Sequence, residues 1–191
     1  MKKLISVLLV ALFVSACGQE QSEMSAADGD WRHHGGNHRS EKYSPLDQVN
    51  GSNFGLLEVA WRYRSPDLEL PEELAYPTGD YRAMPLVING VMYVNSNHGL
   101  ISALDPVTGE EHWVFDPKSY EYGPPLFFPL QTRGIEYWTD GNIERLFIAT
   151  SGKQLVSVDI ETGQPDPNFG DDGYVDLREN FGRFEFEMNN I

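Results

Sequence analysis

The chain has 191 residues, 40% of them hydrophobic, and its 14 Lys and Arg side chains face 29 Asp and Glu, which gives a formal net charge of −15 at pH 7. Because binding to phosphates requires basic clusters, this balance excludes nucleic acid as a natural partner. A single cysteine leaves no intramolecular disulfide, so stability must come from packing or from a bound metal or cofactor.

Residues 1–16 have the pattern of a secretory signal peptide. Two lysines precede an apolar stretch from Leu4 to Val14, and Val-Ser-Ala-Cys then ends at Cys17. The apolar stretch is shorter than the roughly 20 residues that a membrane-spanning helix needs. The pattern therefore predicts a cleaved signal and not a transmembrane anchor.

Val-Ser-Ala-Cys resembles the bacterial lipobox, in which the cysteine thiol is acylated and becomes the new N-terminus. We expect lipidation at Cys17, a flexible tether over residues 17–30, and attachment facing the periplasm of a Gram-negative bacterium. Gly18 in second place slightly favours the outer membrane. A lone cysteine after an apolar run can also be a small buried hydrophobe, but this one lies at the predicted cleavage point.

Residues 31–82 contain few regular patterns. Isolated apolar side chains among turn formers predict irregular backbone, followed by one short strand near Val59–Tyr63. Pro66, Pro71 and Pro77 lie among acidic residues, which predicts an exposed loop over residues 65–82.

The next segment predicts four strands joined by hairpins. The strands are expected at Met84–Ile88, Val91–Asn95, Leu100–Leu104 and His112–Phe115. Asn89-Gly90 is a dipeptide that favours a type I′ hairpin turn. Asp105 and Gly109 bracket a second tight turn, in which the Asp side chain can accept backbone hydrogen bonds and Gly can take the left-handed conformation. Trp113 is the large apolar residue expected to pack between neighbouring sheets.

This unit occurs twice. Asp105 and Gly109 are matched by Asp159 and Gly163 at a constant offset of 54 residues. The second copy predicts strands at Leu146–Ala149 and Gln154–Val158. Its fourth strand is predicted to be degenerate, because two prolines occupy the positions around the equivalent of Trp113. A repeat of about 40 to 50 residues made of short strands is typical of a β-propeller blade. We therefore predict an all-β fold with blade-like repeats near residues 84–117 and 143–170.

Lys118–Asn142 forms an insert between the two units, and inserts of repeat proteins often map to a binding face. Arg133 lies in this insert beside Gly134, and its planar guanidinium suits bidentate binding of a carboxylate. On spacing alone, a surface ion pair with Glu136 or Asp140 is the favoured interpretation.

Two segments contain residue types that can bind metal ions. His33, His34 and His38 lie close together, but zinc sites usually use four ligands and no second cluster or thiolate accompanies these three, so a surface loop is favoured. Residues 166–172 are acidic, but Asp171 and Leu177 stand where an EF-hand needs Gly and Glu, which favours a turn. No metal ligand is assigned.

No catalytic residue is assigned either. The sequence contains neither G-x-G-x-x-G nor G-x-S-x-G, and its only cysteine is predicted to carry lipid.

Several motifs follow one another along the chain. They are Asp30-Trp31, Gly35-Gly36-Asn37, Lys42-Tyr43-Ser44-Pro45-Leu46, Gln48-Val49-Asn50, Trp61-Arg62-Tyr63, Pro85-Leu86-Val87, Leu104-Asp105, Thr108-Gly109 to Trp113, Arg133-Gly134 to Tyr137-Trp138, and Phe169-Gly170-Asp171 to Asp176-Leu177. This series resembles the quinoprotein dehydrogenases that use pyrroloquinoline quinone (PQQ). The resemblance covers essentially the whole chain after residue 30.

The resemblance implies an eight-bladed propeller of four-stranded blades, with about two blades present here, that holds PQQ and Ca²⁺ on its axis. It implies oxidation of a sugar, polyol or alcohol, with electrons passing to ubiquinone or a cytochrome. By resemblance, Arg133 matches an arginine that contacts the cofactor, Thr150 matches a hydroxyl or amide position at the end of the next strand, and Arg82 matches a polar position near the quinone. Arginine is not the residue type expected at position 82.

The chain departs from the family pattern in two ways. Alcohol-oxidising members have adjacent cysteines shortly before the arginine, whereas residues 129–132 are Pro-Leu-Gln-Thr, which favours the branch that oxidises glucose, other sugars and polyols. The chain also stops at Ile191, before the regions that supply the Ca²⁺ ligands and the catalytic base in the family. Repeat folds generally need at least three units. We therefore expect an N-terminal fragment of a longer enzyme that neither binds the quinone nor is active by itself.

A non-catalytic propeller lipoprotein of the outer-membrane protein assembly type is the alternative. Such scaffolds share the Leu-Asp-x-x-Thr-Gly turn, but they have no reason to keep the motif from Arg133-Gly134 to Trp138.

Overall fold

A computed structural model of the chain describes residues 29–122 and 133–179. Cys17, the predicted signal peptide, nearly all of the predicted tether and the central part of the insert lie outside the described residues. Within these residues eight strands are found: β1 Leu86–Ile88, β2 Val91–Asn95, β3 Ile101–Leu104, β4 Glu111–Phe115, β5 Glu136–Thr139, β6 Glu144–Ala149, β7 Gln154–Asp159 and β8 Tyr174–Asp176. Three short 3-10 turns occur at Phe54–Leu56, Pro66–Glu69 and Ser119–Tyr122. None of the described helical segments has the length and apolarity needed to cross a membrane.

The first sheet has the order β1-β2-β3-β4, and every pair is antiparallel. Asn89 and Gly90 both have positive φ, at 51° and 78°, as the type I′ turn between β1 and β2 requires. Asp105 Oδ1 accepts hydrogen bonds from the backbone N–H groups of Val107 and Thr108 at 2.7 and 2.8 Å, and Gly109 has φ +74°. The predicted strands and both predicted turns of this unit are confirmed.

The second sheet repeats this order as β5-β6-β7-β8, and it corrects two predictions. Its first strand, β5, lies inside the segment interpreted as an insert. Its fourth strand is not degenerate, because Tyr174 and Val175 of β8 pair with Val156 and Leu155. The prolines occupy a detour between β7 and β8, in which Pro165 makes only an isolated bridge to Val158.

The strand predicted near Val59–Tyr63 is wrong. This segment forms no strand and pairs with no described strand, and Val59 is 66% exposed. Its aromatic residues bind the first sheet through side chains instead. Trp61 Nε1 donates to the carbonyl of Pro106 at 3.1 Å. Tyr63 Oη lies 2.9 Å from Ser102 Oγ, and the serine hydroxyl is the donor because the single phenol proton is donated to Glu111.

One hydrophobic core joins the two sheets. Its most buried members come from both: Leu86, Ile88, Tyr93, Ile101, Ala103, Phe115, Ile135, Tyr137, Leu146, Ile148, Val156, Val158 and Ile160. Trp113 packs against this core with its ring centroid 5.8 Å from that of Tyr93, and Tyr93 Oη donates to the carbonyl of Ile160 at 3.4 Å. The all-β prediction, with two units of four strands each, is therefore confirmed.

Candidate functional site

The topology brings four loop segments to one end of the two sheets. Since all neighbouring strands are antiparallel, the segments that precede β1 and β5 lie at the same end as the turns between β2 and β3 and between β6 and β7. These four segments carry Arg82, His98, Arg133 and Thr150. We call this end of the two sheets the Arg133 end. The Asp105 and Asp159 turns lie at the opposite end.

The segments that carry Arg82 and Arg133 meet. A Cβ placed on Gly134 would lie 3.9 Å from the Cα of Ala83. Gly134 has φ +118°, a conformation that side chains other than glycine's rarely adopt, so glycine here lets the chain turn into β5 beside the start of β1. Two of the three candidate residues therefore lie on adjoining segments.

The Arg133 side chain is exposed, and no hydrogen bond or ion pair of its guanidinium is found within residues 29–122 and 133–179. Both carboxylates considered as its partners have other contacts. Glu136 contacts His33, and Asp140 Oδ1 accepts the backbone N–H groups of Asn142 and Ile143, each at 2.9 Å. The surface ion pair predicted from spacing is therefore not observed among these residues.

Arg82 is exposed and pairs with Asp80, two residues earlier, at 3.2 Å between Arg82 Nη2 and Asp80 Oδ2. Both side chains are at least half exposed, so the pair is weak and either partner can be exchanged for another ion. The structure places Arg82 at the Arg133 end, but it gives Arg82 an ion-pair partner that Arg133 lacks among the described residues.

Thr150 begins the turn between β6 and β7. Its backbone N–H donates to the carbonyl of Gln154 at 2.9 Å, and its Oγ1 accepts a long hydrogen bond from the Gln154 N–H at 3.4 Å. Its side chain is half-buried. Thr150 thus has a role in forming the turn, and its hydroxyl can still donate a hydrogen bond to a ligand.

A buried acid–base pair lies at this end, formed by two residues that no sequence motif connects. His98 Nδ1 lies 3.0 Å from Asp67 Oδ2, and the two side chains are only 3% and 14% exposed. Burial by itself raises the pKa of the Asp67 carboxyl, but hydrogen bonds from His98 and Ser96 outweigh it and hold that pKa below its ordinary value. Asp67 lies in the segment predicted to be an exposed loop, so that prediction is wrong at this residue.

The pair borders a cavity of about 750 Å³ between the segment after Trp61 and the first sheet. Its lining includes Trp61, Tyr63, Tyr76 and Tyr81, and Tyr63 Oη contacts Glu111 Oε2 at 2.5 Å. Burial and this carboxylate raise the pKa of Tyr63 to about 12. The phenol therefore stays protonated and is a hydrogen-bond donor at neutral pH.

The acidic segment 166–172 forms a turn, as predicted. Asp166 Oδ1 accepts the Asn168 N–H at 2.9 Å, and Asp166 Oδ2 lies 2.8 Å from Arg145 Nε. The histidine segment was predicted to be a surface loop, but two of its histidines lie close to a carboxylate of the second sheet. One ligand atom from each of His33, His38 and Glu136 falls within 4.8 Å of the other two.

Comparison with known proteins decides the family. Residues 31–190 match the PQQ family model described as the glucose/ethanol/alcohol dehydrogenase β-propeller domain. The chain belongs to this family.

Relatives in the PQQ family include both sugar and alcohol dehydrogenases. Quinoprotein glucose dehydrogenase A of Acinetobacter calcoaceticus is 30% identical over 177 residues, which cover 83% of this chain and 22% of that protein. The dehydrogenase subunit of the quinone-dependent alcohol dehydrogenase of Gluconobacter oxydans is 32% identical over 144 residues, covering 75% of this chain and 17% of that protein.

Solved structures agree with the PQQ propeller fold. A quinohemoprotein alcohol dehydrogenase of Pseudomonas putida HK5 superposes with a TM-score of 0.62 at 26% identity, over 82% of this chain and 20% of that one. The chain spans about a fifth of the length of the relatives that it matches.

Proposed function

We propose that this chain is the N-terminal part of a PQQ-dependent dehydrogenase that oxidises a sugar, polyol or alcohol. Its relatives are named for glucose and for alcohols, and a cytochrome c-linked 1-butanol dehydrogenase of Thauera butanivorans matches at 30% identity, which supports a cytochrome or ubiquinone as electron acceptor. The share of the relatives that the chain covers supports a partial propeller. Ca²⁺ is the expected metal of the complete site, with ligands from residues beyond this chain.

The exposed guanidinium of Arg133 at the end shared with Arg82 and Thr150 carries the proposal. PQQ is a planar quinone with carboxylate groups, and a guanidinium binds a carboxylate through two parallel hydrogen bonds. The surroundings of Arg133 fit such an anion, because the nearby carboxylates Glu136 and Asp140 are engaged elsewhere. When bound, PQQ supplies the two-electron oxidation, and the residues of this chain bind and orient it.

Thr150 supplies a hydroxyl donor at the same end of the sheets as Arg133. Arg82 contributes positive charge, and its exposed partner Asp80 can be displaced at little cost. We assign Arg133 the larger share of cofactor binding.

We also propose that Cys17 carries the lipid that anchors the protein facing the periplasm. The signal-like sequence of residues 1–16 and the Val-Ser-Ala-Cys motif support this location. Metabolic labelling with a radioactive fatty acid tests it: the wild-type chain is expected to incorporate label and Cys17→Ser is not. Label retained by Cys17→Ser would refute the assignment.

The scaffold alternative is less well supported. The matched family model is that of the dehydrogenase domain, and the segment from Arg133 to Trp138 leads into β5 and supplies its first three residues. DNA sequence beyond the Ile191 codon distinguishes the two functions. Further blades with acidic metal ligands and a catalytic Asp support the enzyme, whereas their absence supports the scaffold.

The decisive experiment loads the complete protein encoded by that reading frame with PQQ and Ca²⁺ and measures dye reduction with glucose, a polyol and a primary alcohol. We expect Arg133→Ala to weaken PQQ binding by at least about tenfold, or about 1.4 kcal/mol. Arg62→Ala is the matched control, because Arg62 is also exposed but follows Trp61, which binds the opposite end of the first sheet. Equal PQQ affinity of the wild type and Arg133→Ala would refute the assigned role.

A further inference from the structure

His33 and His38 lie on a short loop that is held against the free edge of β1. Trp31 exchanges two backbone hydrogen bonds with Val87, at 2.7 and 3.0 Å. The chain then turns back on itself, since the Gly36 N–H donates to the His33 carbonyl at 2.8 Å and the Lys42 N–H donates to the Gly35 carbonyl at 2.9 Å. The two imidazoles therefore extend from a fixed backbone.

The turn is too tight for a side chain at its centre. A Cβ on Gly35 would lie 2.4 Å from Ser40 Oγ, and a Cβ on Gly36 would lie 3.2 Å from the Trp31 ring. This close packing brings the two rings together, with centroids 3.9 Å apart and planes inclined by 37°.

A carboxylate from the other sheet completes the cluster. Glu136 is the first residue of β5, 103 residues after His33, and its Oε1 lies 2.5 Å from His33 Nδ1. His33 is 13% exposed in its side chain, whereas Glu136 is 52% exposed. The cluster is thus anchored on one side and open to solvent on the other.

We propose that His33, His38 and Glu136 form a binding site for a divalent transition-metal ion of the zinc type. Two imidazoles and one carboxylate are a donor set that zinc uses where a fourth position is left to water or another ligand. For metal–ligand distances of about 2.0–2.1 Å, tetrahedral geometry places ligand atoms about 3.3 Å apart. The three ligand atoms lie within 4.8 Å of one another, and rotation of the exposed His38 and Glu136 side chains about the more buried His33 can close the difference.

The donor set separates this site from the Ca²⁺ expected at the propeller axis. Calcium takes six to eight oxygen ligands, whereas two of the three atoms here are imidazole nitrogens, which suit zinc, copper and nickel. The bound ion would tie the N-terminal loop to β5, three residues after Arg133. It would therefore link two parts of the fold at the edge of the Arg133 end and keep its fourth position for water or another ligand.

The test measures zinc binding by the full 191-residue chain, with Cys17→Ser in every sample so that no thiolate competes. Equilibrium dialysis at neutral pH is expected to give one bound Zn²⁺ per chain and no comparable Ca²⁺ binding. His33→Ala, His38→Ala and Glu136→Gln should each weaken Zn²⁺ binding by at least about tenfold. Zn²⁺ should also raise the thermal midpoint of the parent chain and leave that of Glu136→Gln unchanged.

His34→Ala is the matched control, because His34 is an exposed histidine of the same loop outside the cluster. It should change Zn²⁺ binding less than twofold. Equal weakening by His34→Ala, or undiminished binding by Glu136→Gln, would show that the loop binds metal merely as a histidine-rich peptide and would overturn the proposal. Binding that persists in denaturant, or the absence of Zn²⁺ binding at about 0.1 mM metal, a weak-affinity limit, would overturn it too.

Discussion

The indole of Trp113 lies on the backbone of Gly163 so closely that a Cβ at position 163 would be 2.5 Å from Trp113 Cδ2. The preceding repeat has the same contact, since a Cβ on Gly109 would lie 2.6 Å from Trp61 Cδ2. Each tryptophan therefore lies against the tight turn of the sheet that follows it. This contact joins neighbouring units of the fold.

We expect Gly163→Ala to destabilise the protein strongly. Gly163 has φ +68°, which costs a non-glycine residue about 1–2 kcal/mol, and the new methyl group would also displace the Trp113 ring. Chemical denaturation should show a lower free energy of unfolding for this variant.

Gly90→Ala separates the two causes. Gly90 has φ +78° but nothing within 4 Å of its Cβ position, so this variant carries the backbone strain without the clash. Gly163→Ala should lose more stability than Gly90→Ala, and the difference should shrink when Trp113 is replaced by Ala. Equal losses in Gly163→Ala and Gly90→Ala would contradict the proposed tryptophan contact.

Most strands and turns of the two sheets could be predicted from the sequence, because short segments with strong conformational preferences determine them. Asn89-Gly90 and the Asp105 turn use residues with direct conformational preferences, and both were found where expected. The prediction failed where long-range pairing decides the outcome. Val59–Tyr63 has a strand-like composition but no described partner, and β8 begins nine residues beyond the position that the repeat implied.

The site could be predicted only in part, for the same reason. Motif resemblance selected Arg133 and Thr150, and the topology brings both to one end. No sequence spacing connects His33 with Glu136 or Asp67 with His98, because these contacts form only when the chain folds. From the sequence alone, three histidines without a fourth ligand nearby therefore predict a surface loop and not a metal site.

Arg145 and Asp166 form an ion pair that links β6 to the detour before β8. The side chains are 15% and 8% exposed, with 2.8 Å between Arg145 Nε and Asp166 Oδ2. Asp166→Asn would leave a buried guanidinium without a counter-charge, and we expect a loss of about 3 kcal/mol in thermal or urea unfolding.

The exposed pair of Arg82 and Asp80 provides the comparison. Asp80→Asn should cause no measurable loss, since exposed ion pairs contribute little. If Asp166→Asn were as stable as Asp80→Asn, the buried pair would not hold the detour in place.

Arg32 connects the N-terminal loop to both sheets. Its guanidinium donates to Asn89 Oδ1 at 3.0 Å and to Tyr137 Oη at 3.3 Å, and it lies 5.4 Å from the centre of the Tyr137 ring. Arg32→Lys keeps the charge but loses the planar group that reaches both partners. We expect a loss of about 1 kcal/mol and faster proteolysis of the N-terminal segment. The exposed Arg64 provides the control, and equal proteolysis of Arg64→Lys and Arg32→Lys would contradict the connection.

Asp67 should make the stability of the fold depend on acidity. Its pKa in the folded state is held below the ordinary value of 3.8 because hydrogen bonds from His98 and Ser96 outweigh the effect of burial. A carboxyl with a lowered pKa stabilises the fold above its unfolded-state pKa, and this contribution is lost as the pH falls through the folded-state value. Asp67→Asn should therefore be less stable than the wild type at pH 7 and should approach it below about pH 4, near the unfolded-state pKa. Urea denaturation from pH 3 to 7 measures both curves, with the exposed Asp47→Asn as control. A constant difference between wild type and Asp67→Asn over this range would mean that the Asp67 side chain contributes through packing and not through its charge.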